Sequence, residues 1–577
     1  MATDATSPRA RRARARVAPE TLTWVAFGAL LVVAAAFLLH ETRGTTFWFD
    51  EWVWILDRRG NDLDTFLEPH NEHLSLIPVA IYKLLFATAG LDHYGPWRVL
   101  VTAAHLGLAT LVFVYTKRRV GGLLALCAAA LLLFLGPGWQ NIVWPFQVGW
   151  LSSLTAGVGA LLALDRGDRR GEVLACGLLA VALASSGLGV AIAIGLLVEL
   201  AWERRWRDVW IVALPIVPYA IWWLAYRPAG IVQANIDQTF DFTVDAAAGA
   251  LSSLVGLAGS GVPDGVDALS WGRPLGVAAL VLLAILLPRY ARIPARIVSL
   301  ATILVAFLAL TGLRRALLQD PDTSRYLYVS GLFILLLVAE LARGVRVGRG
   351  IAAIAVVVTA AAVITNAGTL RDAGRYLRVQ AEAARADLAA IELGRDRLKP
   401  GFAAAQFPGT PFITLRADTY LDAAAQYGSP AYSTSELASA PEAARMVADA
   451  QLVQLYGTDL NVAAAPAAGN APQMVGAADG EARPKGPCVE LTPQTIRAAD
   501  AAPSVEVTVP ARGLLVRAGG APAAVEVRRF ADGFTHTPHN LVAPSTGATL
   551  RFPQDAAPQL WHARVASQER VSVCGLR

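Results

Sequence analysis

Four groups of residues carry side chains whose types and spacing could do chemistry. In the first, Asp50 and Glu51 sit inside the aromatic stretch FWFDEW (47–52), and Trp and Phe favour the headgroup zone of a membrane. An ionised carboxylate held there could serve as general base toward a hydroxyl brought to the membrane surface. Neighbouring residues of a helix point in different directions, so at most one of the pair enters a given site. The plainer reading is a helix cap, a role in which Asp is common.

The second group is EPHNEH (68–73). Pro69 suits a helix start, and His70 and His73, three apart, would then share a face with room for a phosphate or a metal, with Glu72 beside them. Two His and one Glu without a fixed ligand spacing favour substrate binding over metal, so no cofactor is required and a divalent ion is the minor alternative. The third group is Arg314, Arg315, Arg325 and Tyr326 in LRRALLQDPDTSRYLY. Guanidinium groups grip phosphate bidentately, and the competing reading pairs them with Asp320 and Asp322 of the same segment. The fourth is GPGWQNIVWPFQVGW (136–150), where Trp139, Asn141 and Gln147 combine aromatic faces with amides in the manner of sugar recognition. Interfacial tryptophan is the commoner explanation of such a segment.

These groups need a scaffold, and composition says which kind. Of 577 residues, 55% are hydrophobic and the mean hydropathy is +0.45, above the soluble average. The excess is gathered into runs long enough to cross a hydrocarbon core of about 30 Å. They lie near 21–40, 97–116, 121–136, 147–164, 172–185, 187–202, 208–226, 272–288, 297–313, 326–343 and 350–367, predicting about eleven transmembrane helices. The net charge of +5 is small for this length and gives no reason to expect nucleic acid as a partner.

Every second connecting loop is basic: Arg9 to Arg16, Lys117 to Arg119, Arg166 to Arg170, Arg204 to Arg207, Arg289 to Arg296 and Arg343 to Arg349. The positive-inside bias makes these cytoplasmic. The N-terminus is then inside the cell membrane, and loops 41–96, 137–146, 227–271 and 314–325 lie outside with everything after about 367. In that orientation Arg314, Arg315 and Arg325 break the rule. The division at Ser185 to Gly187 is the weakest in the series, and 74–89, interrupted by Pro78 and Lys83, suits an interfacial helix.

The organisation expected is a basic N-terminus (1–20), a membrane domain (21–370) with the long first outer loop 41–96, an outer helical region (371–462), a flexible Ala/Gly/Pro linker (463–486) and a small β-sandwich (487–577). Cys488 and Cys574 bracket the last segment and suit a disulfide in an oxidising compartment, whereas Cys127 and Cys176 fall in apolar runs. His536, His539 and His562 are scattered through the sandwich and are read as structural.

A first span, a long outer loop opening on FWFDEW with a later EPHNEH, many more spans, SRYLY before a late span and a soluble outer tail together resemble the polytopic glycosyltransferases of the GT-C fold over about residues 20–370. The resemblance implies a polyprenyl-phosphate-linked sugar donor and transfer of a hexosyl or pentosyl group outside the cytoplasm. The acceptor would be a cell-wall glycan or glycolipid. It also implies an acidic first-loop residue as base, by position Asp50, with Glu51 next. The Ala/Arg-rich composition is similar to that of actinobacterial proteins, whose envelopes hold many such enzymes. Two other classes stay open. A transporter or flippase of a lipid-linked precursor would need charges along a path through the bilayer, and these runs are nearly free of them; a non-catalytic envelope assembly protein would need no site at all.

Overall fold

The computed structural model describes residues 19–259, 261–263, 267–345, 347–404, 415–456, 468–493, 502–534, 541–543 and 547–577. The basic segment 1–18, residues 463–467, His536 and His539 lie outside them.

In chain order the helices are α1 (Pro19–Glu41), α2 (Asp50–Asp57), α3 (Leu63–Leu67), α4 (Leu76–Ala89), α5 (Gly95–Val120), α6 (Gly122–Leu133), α7 (Trp139–Val143), α8 (Val148–Leu164), α9 (Arg169–Ser185), α10 (Leu188–Trp202), α11 (Trp210–Tyr226), α12 (Thr239–Leu254), α13 (Leu269–Leu286), α14 (Ala295–Arg315), α15 (Ser324–Leu341), α16 (Arg349–Leu393), α17 (Ala417–Tyr427), α18 (Thr434–Ser439) and α19 (Glu442–Tyr456). Each of the eleven apolar runs falls on one of them. Among the described residues eight helices are long and apolar enough to cross a membrane, or nine if α6 and α7, bent by 49° at their break, form one span. The chain is a multi-pass helical membrane protein. The count is lower than eleven because α9 and α10 hold only 17 and 15 residues. They are separate helices joined by Ser186 and Gly187. The segment 227–271 is not a plain loop either, since it contains α12, packed against α13, α14 and α15.

The chain divides into two compact units: Met1–Glu41, Leu67–Pro78 and Arg98–Ala373 form the first, and Thr42–Phe66, Val79–Trp97 and Gly374–Arg577 the second. This corrects the domain reading in two places. The first outer loop contributes to both units, and α16 runs unbroken through residue 370.

In the first unit, small residues let helices approach closely, as lipid-embedded packing requires. A Cβ at Gly195 of α10 would collide with Ile303 of α14. At one end of this unit the basic segments come together. Lys117 Nζ lies 2.8 Å from Glu20, and Arg119 bonds Glu340 and sits 3.0 Å from Asp165. Arg296 meets Asp165 at 3.1 Å and Glu199 at 2.9 Å, and Arg205 meets Glu172 at 3.2 Å. The basic segments at 117–119, 166–170, 204–207 and 289–296 thus share one end of the bundle.

In the second unit the strands are β1 (Met474–Ala478), β2 (Gly480–Lys485), β3 (Cys488–Pro493), β4 (Ser504–Thr508), β5 (Leu514–Ala518), β6 (Ala523–Arg528), β7 (Leu541–Ala543), β8 (Ala548–Leu550), β9 (His562–Ala566) and β10 (Val571–Gly575). They form two antiparallel sheets in the orders β1-β4-β9-β6-β7 and β2-β3-β10-β5-β8. Alternate residues such as Val505, Val507, Val525, Val527, Val571 and Val573 meet in a core that also takes in Ala386, Leu437 and Leu452 from the helices. β1 and β2 lie inside the stretch expected to be linker. Cys488 and Cys574 face each other on β3 and β10 and are disulfide-bonded, 86 residues apart.

Candidate functional site

In the first unit the helices α14 and α15 form a hairpin whose turn, 316–323, is flanked by Arg314 and Arg315 at the last two positions of α14 and by Arg325 at the second position of α15. Cations at the C-terminus of α14 suit its dipole, whereas Arg325 at an N-terminus does not. The α15 N-cap, Thr323, makes no side-chain capping bond. This corner therefore favours negative charge.

Glu72 supplies one. Its two oxygens take Arg315 Nη2 at 2.8 and 3.0 Å, and Arg314 Nε stands 3.7 Å away while its Nη1 donates to the Gly230 carbonyl at 2.9 Å. The expected pairing with Asp320 and Asp322 is not what the arginines do. Asp322 is held above its ordinary pKa by burial and by Asp320 and Asp267, the reverse of what a guanidinium partner would cause.

The turn that delivers Glu72 corrects the reading of a helix starting at Pro69. His70 N donates to the His73 carbonyl at 3.1 Å and His73 N to the His70 carbonyl at 3.0 Å, closing a bridge around Asn71, whose φ of 54° lies in the left-handed region that Asn tolerates. The two imidazoles consequently part. His70 packs on Phe146, ring centres 5.2 Å apart, and His73 turns toward Glu72, Nε2 to Oε1 3.7 Å, with a quarter of its side chain exposed. His73 Nδ1 is enclosed without a hydrogen-bond partner among the described residues, as is Arg325 Nε.

Burial, together with Arg315, Arg325 and Arg314, pushes the His73 pKa down against the opposing pull of Glu72. Burial works to raise the Glu72 carboxyl, and His73, Arg315 and Arg314 outweigh it and hold it below its usual value. Three guanidiniums and one carboxylate thus act around the imidazole, an excess of two positive charges. Tyr326 is buried, donates its hydroxyl to Gln319 and lies nearly parallel to Trp150 at 6.4 Å. Trp150 also meets the edge of His73. Sequence reasoning passed over Trp150, although it closes the tryptophan segment already under notice. Trp139, Asn141 and Gln147 of that segment are buried, and the Asn141 and Gln147 amides make no hydrogen bond among the described residues. They offer no exposed plate to a sugar.

Asp50 and Glu51 belong to the second unit and open α2. The N-cap is Phe49, with φ 52° and no side-chain capping bond, so Asp50 occupies the first helical position and is not the cap. Glu51 is fully buried. It accepts Tyr82 OH at 2.7 Å on one oxygen, and Tyr94 OH at 2.7 Å and Trp48 N at 2.9 Å on the other. Three donors and an aromatic wall of Phe47, Tyr94 and Trp97 commit Glu51 to holding the segment in shape. Asp50 is 8% exposed. Among the described residues no group of three or more His, Cys, Asp or Glu side chains is placed to hold a metal ion.

No protein-family model matches the chain, and no curated protein does. Among solved structures, that of ArnT from Cupriavidus metallidurans bound to undecaprenyl phosphate is similar to 70% of this chain and 88% of its own length, at 14% identity and a TM-score of 0.39.

Proposed function

We propose that the chain is a membrane glycosyltransferase that moves a sugar from a polyprenyl-phosphate donor to an extracytoplasmic cell-envelope acceptor. The observation that carries this reading is the charge excess at the turn of the α14–α15 hairpin, where Arg314 and Arg315 share one carboxylate, Glu72, and Arg325 adds its charge beside His73. A phosphate on a lipid carries the charge this corner lacks, and Arg325, whose Nε has no hydrogen-bond partner among the described residues, is the arginine we assign to grip it. His73, kept neutral by burial and by the guanidiniums, can hydrogen-bond a phosphate oxygen without adding charge.

In the reaction the bond from the anomeric carbon to the phosphate oxygen breaks and a bond from that carbon to the acceptor oxygen forms. The phosphate leaves with its electron pair, stabilised by the arginines, and the acceptor proton passes to a carboxylate base. We assign that base to Asp50 by its position as the acidic residue that opens α2 in the first outer loop, while Glu51 holds Tyr82, Tyr94 and the Trp48 amide. Orientation with the arginine corner outside follows from the basic loops gathered at the opposite ends of α14 and α15.

The test is turnover in membranes supplied with a panel of polyprenyl-phosphate sugars. Asp50→Asn should lower transfer by about 100-fold or more while undecaprenyl phosphate still binds the purified protein. Full turnover in that variant would remove Asp50 from the mechanism, and failure of the lipid phosphate to bind the unaltered protein would overturn the reading as a whole.

A further inference from the structure

The second unit contains a cavity of about 400 Å³ where the end of α16, the start of α18, the end of α19 and the chain after β8 meet. None of the residues assigned to transfer line it. Its walls carry the rings of Tyr432 and Tyr456, the carboxylates of Glu392 and Asp555, and the guanidiniums of Arg395 and Arg397.

The polar groups are held in place before any ligand arrives. Asp555 takes both Nη atoms of Arg529 at 2.5 and 2.6 Å, Tyr456 OH at 2.6 Å and the Ala557 amide at 2.9 Å. Glu392 Oε1 accepts Tyr420 OH at 2.6 Å and Ser429 Oγ at 2.5 Å. Arg395 Nε donates to the Glu392 carbonyl at 3.3 Å, and Tyr432 is steadied by Arg385, 5.8 Å from its ring centre. Sites built this way lose little entropy on binding.

The chemistry of the wall selects its ligand. Arg529 neutralises Asp555, which leaves Glu392 and Asp396 against Arg395 and Arg397, so the wall offers a phosphate no net attraction and an alkyl chain would strand fixed polar groups. A neutral polyol fits both signs at once, since each hydroxyl donates to a carboxylate and accepts from a guanidinium. The ring C–H face of a sugar suits a tyrosine plate, and the volume falls in the range of small-ligand pockets.

We infer that this cavity is a saccharide-binding site for a neutral sugar or short glycan, separate from the transfer chemistry. Binding is read without turnover, so its outcome is independent of the transferase reading. Full-length protein in lipid nanodiscs is titrated by saturation-transfer NMR with mannotriose, xylotriose, maltotriose and an arabinofuranose trisaccharide, each to about 10 mM, with inorganic phosphate as the anion control. At least one trisaccharide should bind and phosphate should not compete. Tyr432→Ala should weaken that ligand about tenfold, and Arg397→Ala, an exposed change that leaves the melting temperature unaltered, about threefold to tenfold. Absence of binding by every sugar overturns the inference. So does binding as tight as that of the unaltered protein in both Arg397→Ala and Tyr432→Ala, or displacement of the sugar by phosphate.

Discussion

The two ends of the α14–α15 hairpin carry the same kind of residue to opposite effect. At one end Arg119 and Arg296 meet Glu340, Glu199 and Asp165, and all but Asp165 are largely enclosed, with Arg119 4% and Glu340 3% exposed. Every charge there has a partner, and Tyr115 adds its hydroxyl to Glu340 at 2.6 Å. At the other end Arg314 and Arg315 share Glu72, with 19 to 24% of their side chains open, and Arg325 acts on the neighbouring His73 without a carboxylate partner among the described residues. A cluster in which every arginine has its carboxylates serves architecture, because a buried charge is tolerated only when paired. An unbalanced, partly open one is affordable only if something else completes it, and that contrast is what separates a structural network from a binding site here.

The contrast can be broken from either side. Glu340→Ala should cost about 3 kcal/mol by removing the buried carboxylate that Arg119 and the Tyr115 hydroxyl share and leaving Arg119 only the more open Asp165, read as a marked fall in the thermal midpoint of the detergent-solubilised protein with lipid-phosphate affinity per folded molecule unchanged. A near-wild-type midpoint would mean that this end is not the architectural one. Arg325→Ala should do the reverse, weakening undecaprenyl phosphate about 10- to 100-fold, the worth of a charge-assisted bond, with little change in melting; unaltered affinity would sever Arg325 from the site.

Acid sharpens the same difference. His73 has a folded pKa below its ordinary 6.5, so the unfolded chain binds more protons once pH drops under that value, and stability should decline from about pH 6.5 downward toward the depressed folded value. His73→Gln should flatten that part of the midpoint-versus-pH curve, and an identical curve in the variant would show His73 titrating normally. The smallest effect is expected from Glu72→Gln. Removing the carboxylate that competes for Arg315 should tighten lipid-phosphate binding by a few-fold; weaker binding would mean that Glu72 positions the arginines more than it neutralises them.

What the sequence made legible follows from the range of the signals. All eleven apolar runs proved to be helices because hydropathy over twenty residues needs no knowledge of partners. Their number as full spans was not legible, since α9 and α10 are shortened by a two-residue break whose meaning depends on packing against α8 and α14. β1 and β2 were hidden for a different reason. Both are sheet edges with mostly exposed side chains, so nothing imposes the hydrophobic alternation by which a strand is recognised.

At the site, residue types were readable and partners were not. Arginines against the positive-inside trend marked the corner correctly as unusual, yet their carboxylate lies 243 residues away at Glu72. The commitment of Glu51 depends on Tyr82 and Tyr94, 31 and 43 residues on. Pro69 signalled a helix, and the left-handed Asn71 two residues later closed a turn instead.

The Cys488–Cys574 bond makes residues 488 to 574 a covalent ring, with all strands from β4 to β9 inside it. A protease that cuts that ring once produces no loss of mass on a non-reducing gel, and two fragments after reduction. Wherever a protease reaches it, the sandwich can therefore be nicked at a surface turn without shedding either half, so damage to it would pass unnoticed until the surroundings turned reducing.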